Sequence, residues 1–140
     1  MSSSPAKAIR VLLVDDSPII RLGLRSALED QEDIEIIGEA GTAAAGLDAV
    51  NRLKPDVVML DLHLPDKSGL LACRDFLKVR ANLPVLILTS SSSERHMHDA
   101  IAAGAKGYLL KENDGDSLAS ALRAVARGDS VLDPSMAGQV

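Results

Sequence analysis

Five residues carry the chemistry that this sequence offers: Asp15, Asp16, Asp61, Thr89 and Lys111. Each follows a short apolar run. Val11-Leu12-Leu13-Val14 leads to Asp15-Asp16, Val57-Val58-Met59-Leu60 to Asp61, Val85-Leu86-Ile87-Leu88 to Thr89, and Tyr108-Leu109-Leu110 to Lys111. Three carboxylates drawn together repel one another and would be partly protonated unless a hard cation neutralised them, and Mg²⁺ with oxygen ligands suits such a set. The expected metal ligands are Asp15, Asp16 and Asp61, with the backbone carbonyl of His63 placed to complete the shell. A carboxylate can also act as a nucleophile and form an aspartyl phosphate. Phosphoryl transfer needs positioning and charge neutralisation above all, and here a metal, the Lys111 ammonium and the Thr89 hydroxyl would each take one phosphoryl oxygen. Asp61 is the best nucleophile, since it ends what reads as the central strand and opens the loop Leu62-His63-Leu64-Pro65-Asp66-Lys67-Ser68-Gly69.

These residues meet only if the chain folds as an open parallel sheet, in which the carboxyl ends of the strands lie along one edge and ligands bind outside it. Five apolar segments, at residues 9–14, 34–38, 57–60, 85–88 and 107–110, alternate with five helical patterns. That alternation predicts an α/β fold with a mainly parallel sheet. Four segments are continuous apolar runs, as strands buried on both faces require, whereas Ile34-Glu35-Ile36 alternates and suits an edge.

The helices carry their own punctuation. Ser17 and Pro18 announce the first, with Ile20, Leu24 and Leu28 on one stripe. The second, residues 42–53, stops at Lys54-Pro55. The third starts near Ser68 with Leu70, Cys73 and Leu77 inward. Ser91 and Glu94 stand at capping-box spacing before the fourth, and Leu118, Leu122 and Val125 form the buried stripe of the fifth, with Gly128 beyond its end. Residues 1–8 read as a mobile N-terminal tail, residues 9–128 as one domain, and residues 129–140 as the start of a linker.

Composition narrows the function. With 46% hydrophobic positions, 140 residues can fill one core. Aromatics are 1% and the net charge is -5 without a Lys/Arg cluster, so neither base stacking nor phosphate-backbone attraction has an obvious source in this chain. Direct nucleic-acid binding is not expected. One cysteine excludes an internal disulfide, and no apolar run approaches the roughly 18 residues of a membrane span, so a cytoplasmic location is expected.

The ordered set Val14-Asp15-Asp16, Leu60-Asp61-Leu62-His63-Leu64-Pro65-Asp66-Lys67-Ser68-Gly69, Leu88-Thr89-Ser90 and Gly107-Tyr108-Leu109-Leu110-Lys111 resembles the receiver domain of two-component response regulators, over about residues 9–128. The resemblance implies a flavodoxin-like doubly wound five-stranded parallel sheet of order 2-1-3-4-5 with five helices. It implies that a sensor histidine kinase phosphorylates Asp61, that Asp15 and Asp16 hold Mg²⁺, and that Thr89 and Lys111 read the phosphoryl group. Tyr108, three residues before the lysine, matches the family's switch aromatic: Thr89 moves toward the phosphoryl group and Tyr108 turns into the space left, repacking the surface of the fourth helix, fifth strand and fifth helix.

The stretches Ala103-Gly104-Ala105-Lys106-Gly107-Tyr108 and Ala124-Val125-Ala126-Arg127-Gly128-Asp129-Ser130-Val131-Leu132-Asp133-Pro134 resemble the subgroup that carries a LuxR-type helix-turn-helix output domain. On that likeness the partners are the kinase, the chain's own output domain, which these 140 residues do not include, and a second copy on phosphorylation. Two departures from the family matter. Glu112 stands where many receivers have proline, so the cis peptide often found there is not expected. His63 and Ser91 occupy the positions that in the family tune the lifetime of the phosphoryl group.

Taken singly, each residue has an ordinary explanation: Asp15 and Asp16 as helix caps, Thr89 as a turn hydroxyl, Lys111 as a solvated charge. Their joint order on one fold is what departs from it. A haloacid-dehalogenase-like phosphatase, the enzymatic alternative, places its nucleophile in Asp-x-Asp after the first strand, whereas this chain has Asp15-Asp16-Ser17. A flavodoxin-like cofactor module needs a hydroxyl- and glycine-rich phosphate loop where the acidic pair stands. His96 and His98 point to different faces of a helix and read as surface histidines, and Cys73 as a small core residue.

Overall fold

Along the first strand, β1 (Ile9–Val14), successive side chains enter different cores, which is the simplest statement of the architecture. A computed structural model describes residues 8–136, so the expected tail lies, but for Ala8, outside the described residues. The chain continues through α1 (Pro18–Leu28), β2 (Ile34–Ala40), α2 (Ala43–Leu53), β3 (Val57–Leu60), α3 (Gly69–Val79), β4 (Val85–Thr89), α4 (Glu94–Ala102), β5 (Gly107–Leu110), α5 (Gly115–Ala126) and β6 (Val131–Leu132). All strands run parallel in one sheet of order β2-β1-β3-β4-β5-β6.

Leu12 and Val14 pack with Val50 of α2, Phe76 of α3 and Met97 of α4. Val11 and Leu13 pack on the other face with Leu24 and Leu28 of α1 and with Leu118, Leu122 and Val125 of α5. The sheet is thus covered on both sides, as the continuous apolar runs require. Each fully buried Val or Leu contributes about 1.5–3 kcal/mol relative to exposure, so the doubly covered strands form the rigid part of the domain.

The helix starts follow side-chain capping. Ser17, Thr42, Ser68 and Asp114 each accept a backbone N–H from the first turn of α1, α2, α3 and α5. At α4 the cap is Ser93, not Ser91: the Ser93 hydroxyl accepts the His96 N–H at 3.3 Å. The Ser91 hydroxyl is engaged elsewhere, against His96 Nδ1 at 2.6 Å, so the helix begins two residues later than the spacing predicts. In α3 the residue driven furthest into the core is Phe76, fully buried beside Cys73, while Leu70 and Leu77 are only partly covered.

Among the described residues the expected five strands become six. After α5, Gly128 takes φ +97° and turns the chain back, and β6 adds to the outer edge of β5 with Val131 opposite Gly107 and Leu132 opposite Tyr108. Two residues before a proline carry too little apolar pattern to register as a strand.

Candidate phosphorylation site at the carboxyl edge of the sheet

The strand ladder itself delivers the site residues. The Asp15 N–H donates to the Ala40 carbonyl at 3.0 Å, the Asp61 N–H to the Val14 carbonyl at 2.9 Å, and the Lys111 N–H to the Thr89 carbonyl at 2.8 Å. Each of these residues extends the hydrogen bonding of a buried strand by one step, so its backbone position is fixed by the sheet. The carboxylates of Asp15, Asp16 and Asp61 offer oxygens within 4.8 Å of one another. Asp15 and Asp61 are buried and Asp16 is exposed at the mouth.

Lys111 reaches into the cluster. Its Nζ lies 2.8 Å from Asp15 Oδ2 and 3.2 Å from Asp61 Oδ2. The other Asp15 oxygen accepts the Ser17 N–H at 2.9 Å, which orients the carboxylate from the start of α1. Arg21 braces the same loop from outside, donating to the Asp15 carbonyl and, at 2.8 Å, to Glu39 of β2.

Beneath the carboxylates lie the apolar side chains of Leu13, Leu24, Met59 and Leu88. Burial over this floor pushes the Asp61 carboxyl above its ordinary value; the neighbouring Lys111 charge pulls it down, and the Asp15 charge raises it again. Burial alone would depress Lys111, but its hydrogen bond to Asp15 and the charges of Asp61 and Asp15 hold its ammonium above the usual value. All-oxygen, closely spaced and anionic, the donor set fits a hard divalent cation and does not fit a soft or nitrogen-seeking metal.

The loop after β3 is shaped around Asp61. Gly69 backs onto the site: a Cβ there would lie 2.2 Å from the Asp61 carbonyl oxygen, so no other residue fits without moving the strand end. His63 bridges Ser68 across the loop, and Asp66 accepts the Ala43 and Ala44 N–H groups at 2.8 and 3.0 Å, tying the loop to the start of α2. Sequence reading did not single out Asp66; an acid after proline gives no sign of which helix it will cap.

Thr89 is fully buried, and its Oγ1 accepts the Ser91 N–H at 3.2 Å. Tyr108, also fully buried, donates its hydroxyl to the Ser91 carbonyl at 2.7 Å, so its ring already lies in the interior toward which the sequence expectation has it turn. Thr89 and Tyr108 therefore meet at one residue, Ser91, which also holds His96. The His96 ring stands edge-on to His63 at 6.0 Å between centroids, while the exposed His98 faces Glu94. The two histidines thus lie on different faces of α4.

A doubly wound parallel sheet with an acid cluster, a lysine and a hydroxyl at its carboxyl edge defines a class of α/β switch domain. Within that class, residues 11–123 match the response regulator receiver domain, and the chain belongs to that family. It is 43% identical over 125 residues to the DNA-binding transcriptional activator DevR/DosR of Mycobacterium tuberculosis, covering 89% of this chain and 58% of that protein. It is 37% identical over 132 residues to the transcriptional regulatory protein LiaR of Bacillus subtilis, covering 94% of this chain and 63% of that one. The chain thus spans about three fifths of the length of these relatives. A two-component response regulator of the LuxR family from Aurantimonas sp. SI85-9A1 superposes with a TM-score of 0.90 at 31% identity, covering 94% of each chain. Among the described residues no helix is long and apolar enough to cross a membrane.

Proposed function

We propose that Asp61 is the phosphoacceptor of this receiver domain. The observation that carries the reading is the convergence of Asp15, Asp16 and Asp61 within 4.8 Å, with Lys111 on two of the three. In the proposed reaction an Asp61 oxygen attacks phosphorus in line with the leaving group. The new O–P bond forms as the P–N bond of a kinase phosphohistidine breaks, and the imidazole keeps the electron pair.

Asp15, Asp16 and Asp61, with the backbone carbonyl of His63, would hold Mg²⁺. When bound, the ion neutralises charge on the acidic cluster and on the incoming phosphoryl oxygens. Lys111 and the Thr89 hydroxyl neutralise and read the remaining oxygens. Lys111 is already positioned, because its backbone is fixed to Thr89 and its ammonium is directed at Asp61.

The switch runs through Thr89 and Tyr108. Both bond to Ser91 in the loop before α4, so a movement of Thr89 toward a phosphoryl group pulls on the residue that holds the Tyr108 hydroxyl. The surface formed by α4, β5 and α5 then changes. By membership of the receiver family the partner upstream is a sensor histidine kinase, and by likeness to the DNA-binding activator DevR/DosR the partner downstream is a DNA-binding output domain that regulates transcription, joined through the segment that follows β6; phosphorylation would promote pairing with a second copy. The domain assists its own phosphorylation rather than turning over a substrate, and steady hydrolysis of a phosphomonoester would favour the phosphatase alternative.

The test is incubation with Mg²⁺ and acetyl phosphate followed by intact mass. A phosphate-sized gain in the wild type that is absent in Asp61→Asn is expected. An undiminished gain in Asp61→Asn would remove Asp61 from the site.

A further inference from the structure

Among the described residues four polar or charged side chains are buried: Asp15, Asp61, Thr89 and Asp133. Three belong to the phosphorylation site. The fourth lies past α5, in the segment that reads from sequence as a linker, and nothing in the proposed chemistry uses it.

Asp133 completes a ladder that Pro134 cuts short. The Val131 N–H donates to the Lys106 carbonyl at 2.9 Å and the Asp133 N–H to the Tyr108 carbonyl at 2.7 Å, so β6 covers β5 two residues at a time. Pro134 cannot continue the strand, and the Leu110 N–H would be left without a strand partner. The Asp133 carboxylate takes it instead: Oδ2 accepts the Leu110 N–H at 2.9 Å and the Asn113 Nδ2 at 2.6 Å. Asn113 Nδ2 also donates to the Leu110 carbonyl at 2.8 Å. On the other side, Oδ1 accepts the Ser135 N–H at 3.0 Å and the Ser135 hydroxyl at 2.7 Å. Burial would raise this carboxyl, but the bonds from Ser135, Leu110 and Asn113 hold it below its ordinary value, so it is a carboxylate at neutral pH.

Leu110 immediately precedes Lys111. The turn that carries Lys111 is therefore clamped at the Leu110 N–H by Asp133 and at the Leu110 carbonyl by Asn113. All peptide bonds described are trans and Glu112 follows the lysine, so no proline ring stiffens this turn. We propose that Asp133 is a positioning residue of the phosphorylation site, acting through the Leu110-Lys111 turn to hold the Lys111 ammonium where it meets a phosphoryl oxygen. The segment leaving α5 and the site at the sheet edge are then one mechanical unit. This rests on the phosphoacceptor reading above.

Asp133→Asn keeps the shape but removes the charge, and whichever way its amide turns the NH₂ meets a backbone N–H that can only donate, that of Leu110 or that of Ser135. The test measures Mg²⁺ affinity and, at saturating Mg²⁺, beryllofluoride affinity by titration calorimetry. Asp133→Asn is expected to weaken beryllofluoride binding roughly tenfold, the scale of a disturbed hydrogen bond to a charged group, with Mg²⁺ affinity not weakened, because the carboxylates are held by other strands and a displaced ammonium competes less with the ion for Asp15 and Asp61. Asn113→Ala should act in the same direction and serves if Asp133→Asn does not fold. Ser135→Ala touches only the far oxygen and should leave the affinity unchanged. In a Lys111→Ala background, Asp133→Asn should have no further effect, as a double-mutant cycle requires of a residue acting through the lysine. Unchanged beryllofluoride binding in both variants, additive losses in that background, or parallel losses of Mg²⁺ and beryllofluoride would each overturn the proposal. A wild type that binds Mg²⁺ but no beryllofluoride would instead overturn the phosphoacceptor reading on which it stands.

Discussion

Replacing Asp61 by asparagine should make the metal-free domain more stable while removing its response to Mg²⁺. The three acidic oxygens lie within 4.8 Å of one another, so at an effective dielectric of about 20 each carboxylate pair repels by roughly 3.5 kcal/mol. Lys111, at 3.2 Å from Asp61, returns roughly 5 kcal/mol on the same scale. Two repulsions against one attraction leave Asp61 in deficit by about 2 kcal/mol, somewhat less because Asp16 is exposed and screened, and burial over the apolar floor adds to that deficit. Asp61→Asn should therefore raise the unfolding free energy in EDTA by on the order of 1–2 kcal/mol, or roughly 3–6 °C in Tm.

The pH dependence has a definite sign. A carboxyl raised above 3.8 in the folded state keeps its proton longer there than in the unfolded chain. The native state then binds more protons, and wild-type stability in EDTA falls, relative to Asp61→Asn, as pH rises from that value through the folded pKa. Mg²⁺ reverses the deficit in the wild type, because binding to the native state alone adds stability by mass action. The assay is urea and thermal unfolding followed by circular dichroism, with EDTA and with Mg²⁺. A variant less stable than wild type in EDTA, or one with an undiminished Mg²⁺ response, would refute the electrostatic account.

Three further outcomes follow from packing. The Cys73 thiol, fully buried and pushed up to about 11 by burial, should resist thiol reagents in the native state at mildly alkaline pH and label only at the rate of unfolding; rapid stoichiometric labelling would contradict its placement. Phe76→Ala should cost about 3–5 kcal/mol in urea unfolding, and a loss below about 1 kcal/mol would mean that α3 is seated differently. Tyr108 is the only tyrosine and the chain has no tryptophan, so intrinsic emission reports this residue alone; it should be poorly quenched by acrylamide, and quenching as strong as that of free tyrosine would place the ring outside the core.

Residues whose positions are set by strong periodic signals were legible in the sequence. The runs ending in Asp15, Asp61, Thr89 and Lys111 fix both the doubly covered strands and the edge on which their polar ends must meet, so the core of the site followed from strand direction alone. The cap Ser17 lies next to the helix it starts and was equally visible, whereas Thr42 reads as the first residue of the second helix and is its cap instead. What was not legible depends on partners distant in sequence. Ser91 fits a capping box by spacing, but its hydroxyl is taken by His96, and the cap passes to Ser93. β6 is two residues long and becomes a strand only because β5 offers an open edge. Asp133 looks like a turn acid before proline; its burial and its hold on Leu110 arise from a contact across 23 residues. Phe76 competes with Leu77 for the inward face of α3, and the depth of the core beneath Val14 and Gly46 decides it.

The central claim, that Asp61 carries the phosphoryl group, is tested most directly by chemical trapping. After incubation with Mg²⁺ and acetyl phosphate, borohydride reduces an aspartyl phosphate to homoserine, which peptide mass spectrometry then locates. Homoserine at position 61, dependent on Mg²⁺, is the predicted result. Homoserine at position 15 or 16, or none anywhere in a protein shown to bind Mg²⁺, would contradict it.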